Sequence, residues 1–126
     1  MADRDINWVR SSYEDLLEFP DDAINAAGFQ LRKVQQDEEP DDWKPMPNVG
    51  PGVREIRIFA EAGAYRVMYV VKIAGLVHVL HCFHKKTEQT SQRDIEKGRA
   101  AYREVEAAMA AARKMKKTTK GRRKKE

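Results

Sequence analysis

Apolar and polar residues alternate most clearly between Gly52 and Lys86. The β-branched and aromatic residues of this stretch fall into three runs, separated by glycine-containing breaks at residues 61–63 and 74–75. Such runs between short breaks are typical of β-strands. The simplest arrangement of three successive strands is an antiparallel meander, which we predict here.

Side chains on a strand point alternately to its two faces, so the predicted strands can be sorted by face. On the first strand, Glu55 and Arg57 share one face, and the other face carries Arg54, Ile56 and Ile58. The expected core face of the second strand comprises Tyr65, Val67, Tyr69, Val71 and Ile73. On the third strand, alternation sets Val77, Val79, His81 and Phe83 against Leu76, His78, Leu80, Cys82 and His84. Because both of its faces are partly apolar, we expect a sheet covered on one side and grooved on the other.

The first 36 residues have the pattern of a short strand followed by two helices. Residues 5–10 alternate in polarity over a length compatible with a brief strand. Ser11 or Ser12 then has an acidic residue three positions later, as in a capping box, and Pro20 ends this first helix. We expect Asp21 or Asp22 to cap a second helix that ends near Gln36. Its buried stripe is predicted to be Ile24, Ala27, Leu31 and Val34.

Residues 37–51 contain four of the five prolines and show no periodicity, so we predict a loop or extended connector. We expect Trp43 to anchor this connector to the rest of the protein. Stacking of Trp43 on a ligand is the alternative.

A long helix is predicted after residue 90, with Thr90 or Ser91 as its cap and Ser91 paired with Asp94. Its apolar stripe comprises Ile95, Tyr102, Val105, Met109 and Ala112. The interior Gly98 lowers the helix propensity and leaves room for a close contact with a neighbouring element.

The length of 126 residues suits one domain, which we place at residues 1–112. Residues 113–126 carry nine basic residues and no apolar face, and are predicted to form a flexible basic tail. Such a tail either keeps the protein soluble or grips phosphate electrostatically.

No apolar run reaches the roughly 20 residues of a membrane span, and the acidic N-terminus does not resemble a secretory signal. We therefore expect a cytoplasmic protein that does not bind membranes. The single cysteine, Cys82, lies within a predicted strand and is expected to be a small buried apolar residue.

The net charge of +4 conceals a strong segregation of charge. Residues 1–52 carry five Lys or Arg against twelve Asp or Glu, whereas residues 53–103 carry ten against five. A uniformly basic nucleic-acid-binding protein would look different, so the basic sheet and the basic tail call for separate explanations.

Cations on a sheet can cleave RNA without a metal ion, provided that a proton carrier lies beside them. Arg57 and Arg66 would clamp the phosphate if their strands pair, and His84 or a lysine of lowered pKa would carry a proton. Lys85 and Lys86 would balance the developing charge, and Lys72 and Arg54 add further positive charge for RNA binding. Arginines on sheets are more often solvated and paired at the surface, and His78 and His81 are expected to be structural. The sequence has no metal-ligand spacing and no glycine-rich phosphate loop, so we predict neither a metal nor another cofactor.

Three segments carry a resemblance to a known family: KPMPNVGPGVREIRI at 44–58, AYRV at 64–67 and LHCFHKKT at 80–87. With the N-terminal and C-terminal patterns around them, over residues 5–110, the chain resembles the phage-derived branch of the HigB/RelE-like toxins of toxin–antitoxin pairs. The resemblance implies an α+β fold in which two N-terminal helices pack on an antiparallel sheet of three to four strands, followed by a long C-terminal helix.

The same resemblance implies ribosome-dependent cleavage of messenger RNA and control by a helix-turn-helix antitoxin. Arg57, Arg66 and the Lys85–Lys86 pair match basic positions of the family. His84 replaces a frequent glutamine, and Arg54 replaces a frequent tryptophan. Two alternatives stay open: a non-catalytic member that binds a protein target, such as a gyrase-type poison, or only its antitoxin; and a nucleic-acid-binding module acting through its tail. The sequence does not specify the oligomeric state.

Overall fold

The computed structural model describes residues 3–72 and 75–125, with the side chains of Lys72 and of residues 116–125 outside the description. The elements in chain order are β1 (Ile6–Trp8), α1 (Ser12–Leu17), α2 (Asp21–Gln35), β2 (Trp43–Pro45), β3 (Arg54–Ala60), β4 (Gly63–Lys72), β5 (Leu76–Lys85) and α3 (Gln92–Lys125). They form an α+β fold around one sheet.

The sheet has five strands in the order β1-β5-β4-β3-β2. The predicted meander is confirmed, because β3, β4 and β5 pair antiparallel in sequence order. The expectation of three to four antiparallel strands is wrong, since β1 lies parallel to β5 and β2 adds a further edge strand. Both additional strands have only three residues, and their pairing partners lie elsewhere in the chain.

Strand β2 lies within the proline-rich segment that the sequence predicts as a loop. It pairs with the start of β3, and the Met46 amide donates to the Val53 carbonyl at 2.8 Å. Pro45 is compatible with this position because an edge strand needs hydrogen bonds on one side only.

Helices cover both faces of the sheet. One apolar core joins α1 and α2 to the sheet through residues such as Leu16, Leu31, Ile56 and Val67. A second core joins α3 to the opposite face; its members include Met68, Val70, Leu80, Phe83, Tyr102 and Val105. The expectation that only one face is covered is therefore wrong, because α3 buries apolar residues that the sequence sorting left on the grooved side.

A β-bulge in β5 changes which side chains share a face. Tyr69 lies opposite Val79, but the residue before it on β4, Met68, lies opposite His81. Leu80 is therefore an extra residue with no partner on β4. After the bulge, Cys82 belongs to the core beneath α1 and α2, whereas Phe83 packs beneath α3. The predicted sorting of β5 is thus wrong beyond Val79, because regular alternation does not include an inserted residue.

The ends of the helices agree only partly with the expected caps. Ser11 is the N-cap of α1, but its hydroxyl donates to the Asp15 carboxylate at 2.9 Å and caps no backbone amide. Pro20 is the N-cap of α2, and Asp22 instead accepts the Glu61 amide at 3.0 Å, which ties α2 to the β3–β4 turn. The expected pairing before α3 is confirmed, because the Asp94 amide donates to the Ser91 hydroxyl at 3.2 Å.

Helix α3 contacts the sheet through its first half. Gly98 makes the close contact that the sequence predicts: a Cβ atom there would lie 2.7 Å from the Met68 sulfur and 3.0 Å from a Val49 methyl. The last packed residue of the stripe is Met109, and Ala112 is exposed rather than buried. The backbone is helical to Lys125, and lysine and arginine have high helix propensity. The flexibility expected of the basic tail from residue 113 stays a prediction.

None of the helices, over the residues described, is long and apolar enough to cross a membrane.

Candidate functional site

Arg57 and Arg66 are directly opposite each other on the neighbouring strands β3 and β4. Directly paired residues of antiparallel strands project from the same face, with Cβ atoms about 5 Å apart. Lys44 of β2 lies opposite Glu55, and Lys85 of β5 lies opposite Ala64, so both project from this face as well. We call the set of Lys44, Arg57, Arg66 and Lys85 the cationic face.

A buried carboxylate organises the cationic face. Glu55 has no exposed surface. One of its oxygens lies 3.5 Å from the Arg66 Nε and 3.9 Å from the Lys44 Nζ, and the other accepts the Thr90 hydroxyl at 2.8 Å. A buried charge is tolerated only where opposite charges and hydrogen bonds compensate it. Glu55 therefore fixes the positions of two of the four cations.

Arg66 is the most enclosed of these cations, with 5% of its surface exposed. Its Nη1 donates to the Tyr65 carbonyl at 2.9 Å, and its guanidinium lies 5.6 Å from the ring centre of Phe59. Burial lowers its pKa, against the opposing effect of Glu55, yet an arginine stays charged at neutral pH. The expectation that Arg66 grips a phosphate directly does not fit this enclosure. It contributes positive charge from beneath the surface and holds Glu55.

Arg57 is accessible, with 37% of its side chain exposed. Its guanidinium lies 3.8 Å from the Asp42 carboxylate, and its backbone amide donates to the Asp42 carbonyl at 2.8 Å. The Nε atom is buried and makes no hydrogen bond within the described part of the protein, whereas the side chain as a whole is partly exposed. Arg57 is thus held beside Asp42, and an anion can reach only the exposed part of its side chain.

Lys85 has a lowered pKa. Partial burial is the main cause, followed by repulsion from Arg66 and Lys44, while Glu55 acts in the opposite direction. A lysine next to other cations is more often neutral, and a neutral amine can accept a proton. Lys85 therefore has the lowered pKa expected of a lysine that carries a proton.

His84, the other expected proton carrier, lies on the opposite face of the sheet. It pairs with Tyr65 across β4 and β5, and the two rings stack with centres 4.6 Å apart. The structure therefore separates His84 from Arg57 and Arg66. The bulge in β5 contributes to this separation, because every later residue of β5 projects from the face opposite to the one that regular alternation predicts.

Neither Arg54 nor Lys86 belongs to the cationic face. Arg54 projects from the other face, where its guanidinium lies 3.9 Å above the Trp43 ring and 3.8 Å from Glu39. This contact places Trp43 against the sheet, as expected for an anchor. Lys86 is exposed immediately after β5, and the side chain of Lys72 lies outside the description.

The buried residues His78, His81 and Cys82 have surroundings typical of residues that stabilise the fold. His78 is within hydrogen-bonding distance of the Asn7 amide, at 3.1 Å, and His81 of the Asp94 carboxylate, at 2.8 Å. Burial lowers the pKa of His81 more than Asp94 raises it, and burial raises the pKa of Cys82. Over the described ranges, no three His, Cys, Asp or Glu side chains form a group that could hold a metal ion.

Sequence reasoning missed four members of the site: Lys44, Asp42, Glu55 and Thr90. Lys44 and Asp42 lie in or beside β2, which was predicted as a loop, and Thr90 was considered only as a helix cap. A signal existed for Glu55, since it shares its strand face with Arg57 and an acid beside buried arginines is an obvious counterion.

Comparisons with known proteins place the chain in a family. The family model described as "Phage derived protein Gp49-like (DUF891)" matches residues 14–103. A solved structure, the RelBE2 toxin–antitoxin complex of Mycobacterium tuberculosis, matches with a TM-score of 0.43 and 19% identity, over 66% of this chain and 99% of that one. A search of curated proteins gives no significant match.

The phage-derived part of the resemblance is confirmed, whereas the HigB assignment stays a prediction. The family match begins within α1, ends within α3 and includes every residue of the cationic face. The chain belongs to the phage-derived Gp49-like family.

Proposed function

We propose that this protein is the toxin of a toxin–antitoxin pair and acts in the cytoplasm as an endoribonuclease on messenger RNA bound to the ribosome. The cationic face is the observation that carries this proposal: four positive side chains from four neighbouring strands project from the same side of the sheet, and two of them touch one buried carboxylate. Membership of the Gp49-like family and the resemblance to RelE-like toxins support the same assignment.

The accessible cations bind the scissile phosphate. Arg57 and Lys44 contact its non-bridging oxygens, and Arg66 adds positive potential from beneath without a direct contact. As the 2′-oxygen attacks phosphorus, negative charge builds up on these oxygens. Fixed cations that stabilise this charge accelerate the reaction because they need no reorganisation.

Lys85 carries the proton. Its neutral amine accepts the proton of the 2′-hydroxyl as the new bond to phosphorus forms. The bond from phosphorus to the 5′-oxygen then breaks, and the resulting ammonium returns the proton to that oxygen. The products are a 2′,3′-cyclic phosphate and a free 5′-hydroxyl, so neither a metal ion nor a cofactor takes part in the sequence of steps.

The proposed partners are messenger RNA on the ribosome and a helix-turn-helix antitoxin that blocks the toxin. A non-catalytic protein that binds a gyrase-type target or only its antitoxin is the alternative. One observation favours this alternative: Arg66 is enclosed and occupied by Glu55.

Induced expression followed by primer extension on translated messenger RNA tests the proposal. The wild-type protein should arrest growth and produce new 5′ ends, and Arg57→Ala should abolish both. Arg57 suits this test because its neighbour Asp42 is exposed, so its loss leaves no buried charge unpaired. Arg32→Ala, which removes an exposed arginine of α2 paired with Asp3, is the matched control and should behave like the wild type.

Growth arrest with intact transcripts would replace the nuclease by the non-catalytic alternative. Arrest and cleavage that persist unchanged in Arg57→Ala would show that the cationic face is not the catalytic site. Melting temperatures of all variants separate loss of activity from loss of folding.

A further inference from the structure

Part of the edge of β5 has no neighbouring strand. β1 pairs with β5 only from Val77 to Val79, so among the described strands none continues along that edge toward Lys85. A groove of about 360 Å³ lies there, between the end of α1 and the start of α3. Its lining includes Asp15, Glu18, Phe19, His81, His84 and Lys97.

A second groove, of about 400 Å³, adjoins the first and is basic. Its basic lining residues are Lys85, Lys86, Arg93 and Lys97, and it shares His84, Lys97 and the acidic Asp94 with the first groove. Asp94 lies 2.8 Å from the His81 ring. Lys85 also belongs to the cationic face, so this groove links the proposed cleavage site to His84.

The His84 ring is exposed and held in place where the two grooves meet. One side of it stacks on the buried Tyr65 with an angle of 20° between the planes. Gly63 makes room for the ring, because a Cβ atom on Gly63 would lie 2.9 Å from the His84 Nε2. Gly63 also has a φ of +146°, which side-chain-bearing residues rarely adopt. His84 thus presents a fixed, flat aromatic surface.

We propose that His84 stacks against a base of single-stranded RNA whose backbone phosphate lies among Lys85, Lys86 and Arg93. This inference rests on the proposed function and adds a nucleotide-binding site next to the cleavage site. Aromatic rings beside a basic track are the common way in which proteins hold single strands, because every base offers a flat face.

The charges around the groove orient the nucleotide. Asp15 and Glu18 line the first groove and repel a phosphate, whereas an uncharged base is tolerated there. Asp94, which lines both grooves, is paired with His81. The phosphate therefore lies on the lysine side and the base on the side of Phe19. An acidic peptide segment would fill only the basic groove and would gain nothing from the ring.

The test is equilibrium binding of the full-length protein to a short single-stranded 2′-O-methyl RNA, measured by fluorescence anisotropy. The methyl group prevents cleavage, so the wild-type chain can be used. Base–aromatic stacking predicts that His84→Ala weakens binding by roughly 5- to 150-fold. His84→Phe keeps the flat ring and should bind within about twofold of the wild type, whereas removal of the exposed Phe29 of α2 (Phe29→Ala) should change nothing.

A second comparison uses an oligonucleotide of the same length whose sugars carry no bases. Wild type and His84→Ala should bind it equally, because no base remains to stack. The proposal is overturned if His84→Ala binds the base-containing RNA like the wild type, or if His84→Phe loses as much affinity as His84→Ala. If binding shows the stacking pattern but transcripts stay intact in cells, the nuclease proposal fails and the RNA site stands.

Discussion

Arg57 and Arg66 have the same type of side chain, but their roles differ because their surroundings differ. The two residues are cross-strand partners, yet Arg66 is enclosed beside Glu55 whereas Arg57 is open to solvent beside Asp42. An enclosed ion pair fixes geometry, and an exposed guanidinium is free to bind a ligand. From the sequence, the two arginines are expected to meet only if their strands pair, and the sequence does not contain the depth at which each side chain lies.

The pKa of Lys85 predicts a pH dependence for RNA cleavage. A general base acts in its neutral form, so the rate should rise about tenfold per pH unit and level off near the pKa of Lys85. Because that pKa is lowered, levelling occurs at a lower pH than for an ordinary lysine. Single-turnover cleavage rates on programmed ribosomes, measured from pH 6 upward, give this profile.

Substitutions distinguish the proton carrier from a simple positive charge. Lys85→Arg keeps the charge but not the titratable amine, and it should reduce cleavage at least 100-fold while RNA affinity changes little. Lys86→Arg is the matched control and should retain activity. Full activity in Lys85→Arg would rule out proton transfer by this residue.

Glu55→Gln tests the organisation of the cationic face. The substitution leaves Arg66 enclosed without its counterion, and the loss of one partner of a buried pair typically costs about 3–5 kcal/mol. We expect the urea midpoint to fall accordingly, whereas Glu88→Gln at an exposed position should leave it unchanged. Combining Glu55→Gln with Arg66→Met should restore part of the stability, since both charges are then removed.

At the scale of elements, the sequence predicted the strands and helices that a clear local pattern of apolar residues marks. The three strands of the meander, α2 and the start of α3 all follow from runs of apolar residues bounded by glycine, proline or capping residues. β2 pairs with the next strand of the chain, but its proline-rich segment has no periodicity, so no local pattern specifies it. The alternation of residues 5–10 predicts β1 as a short strand, whereas its parallel pairing depends on a partner far along the chain. The bulge at Leu80 likewise depends on tertiary packing, so the sequence does not show that His84 projects from the face opposite to the arginines.

Two glycines in helices allow a direct test of packing between α3 and the sheet. Gly98→Ala should lower the free energy of unfolding by about 1–2 kcal/mol, because the added methyl group overlaps the buried Met68 and Val49. Gly28→Ala in α2 meets nothing within 4 Å and should raise it by about 0.5–1 kcal/mol. Urea unfolding measures both changes in the free energy of unfolding. If both substitutions raise it or both lower it, the close contact at Gly98 is contradicted.

At the scale of the whole molecule, the charge separation continues into α3. No described side chain beyond Met109 packs in either core, while the sequence from residue 113 onward carries nine basic residues. The described residues of this part of α3 therefore pack in neither core, and its sequence adds positive charge.

Truncation after Ala112 should leave the melting temperature within about 2 °C of the full chain, since none of the described residues that it removes belongs to either core. The affinity for RNA should fall, and its dependence on salt should become weaker, because fewer phosphate contacts release fewer counterions. A full-length variant with Lys116, Lys117 and Lys120 replaced by Gln should show the same trend if charge is the cause. Loss of cleavage on truncation would instead assign the activity to the tail.

The pairing of the first strand with the last has a consequence for biosynthesis. Ile6 finds its partner only at Val77, and α3, which closes the other face, comes later still. A nascent chain therefore emerges with its N-terminal helices and strand unable to complete either core until β5 and the start of α3 have left the exit tunnel. Folding of these elements is comparatively slow, because distant segments must meet before any strand at that edge is secured.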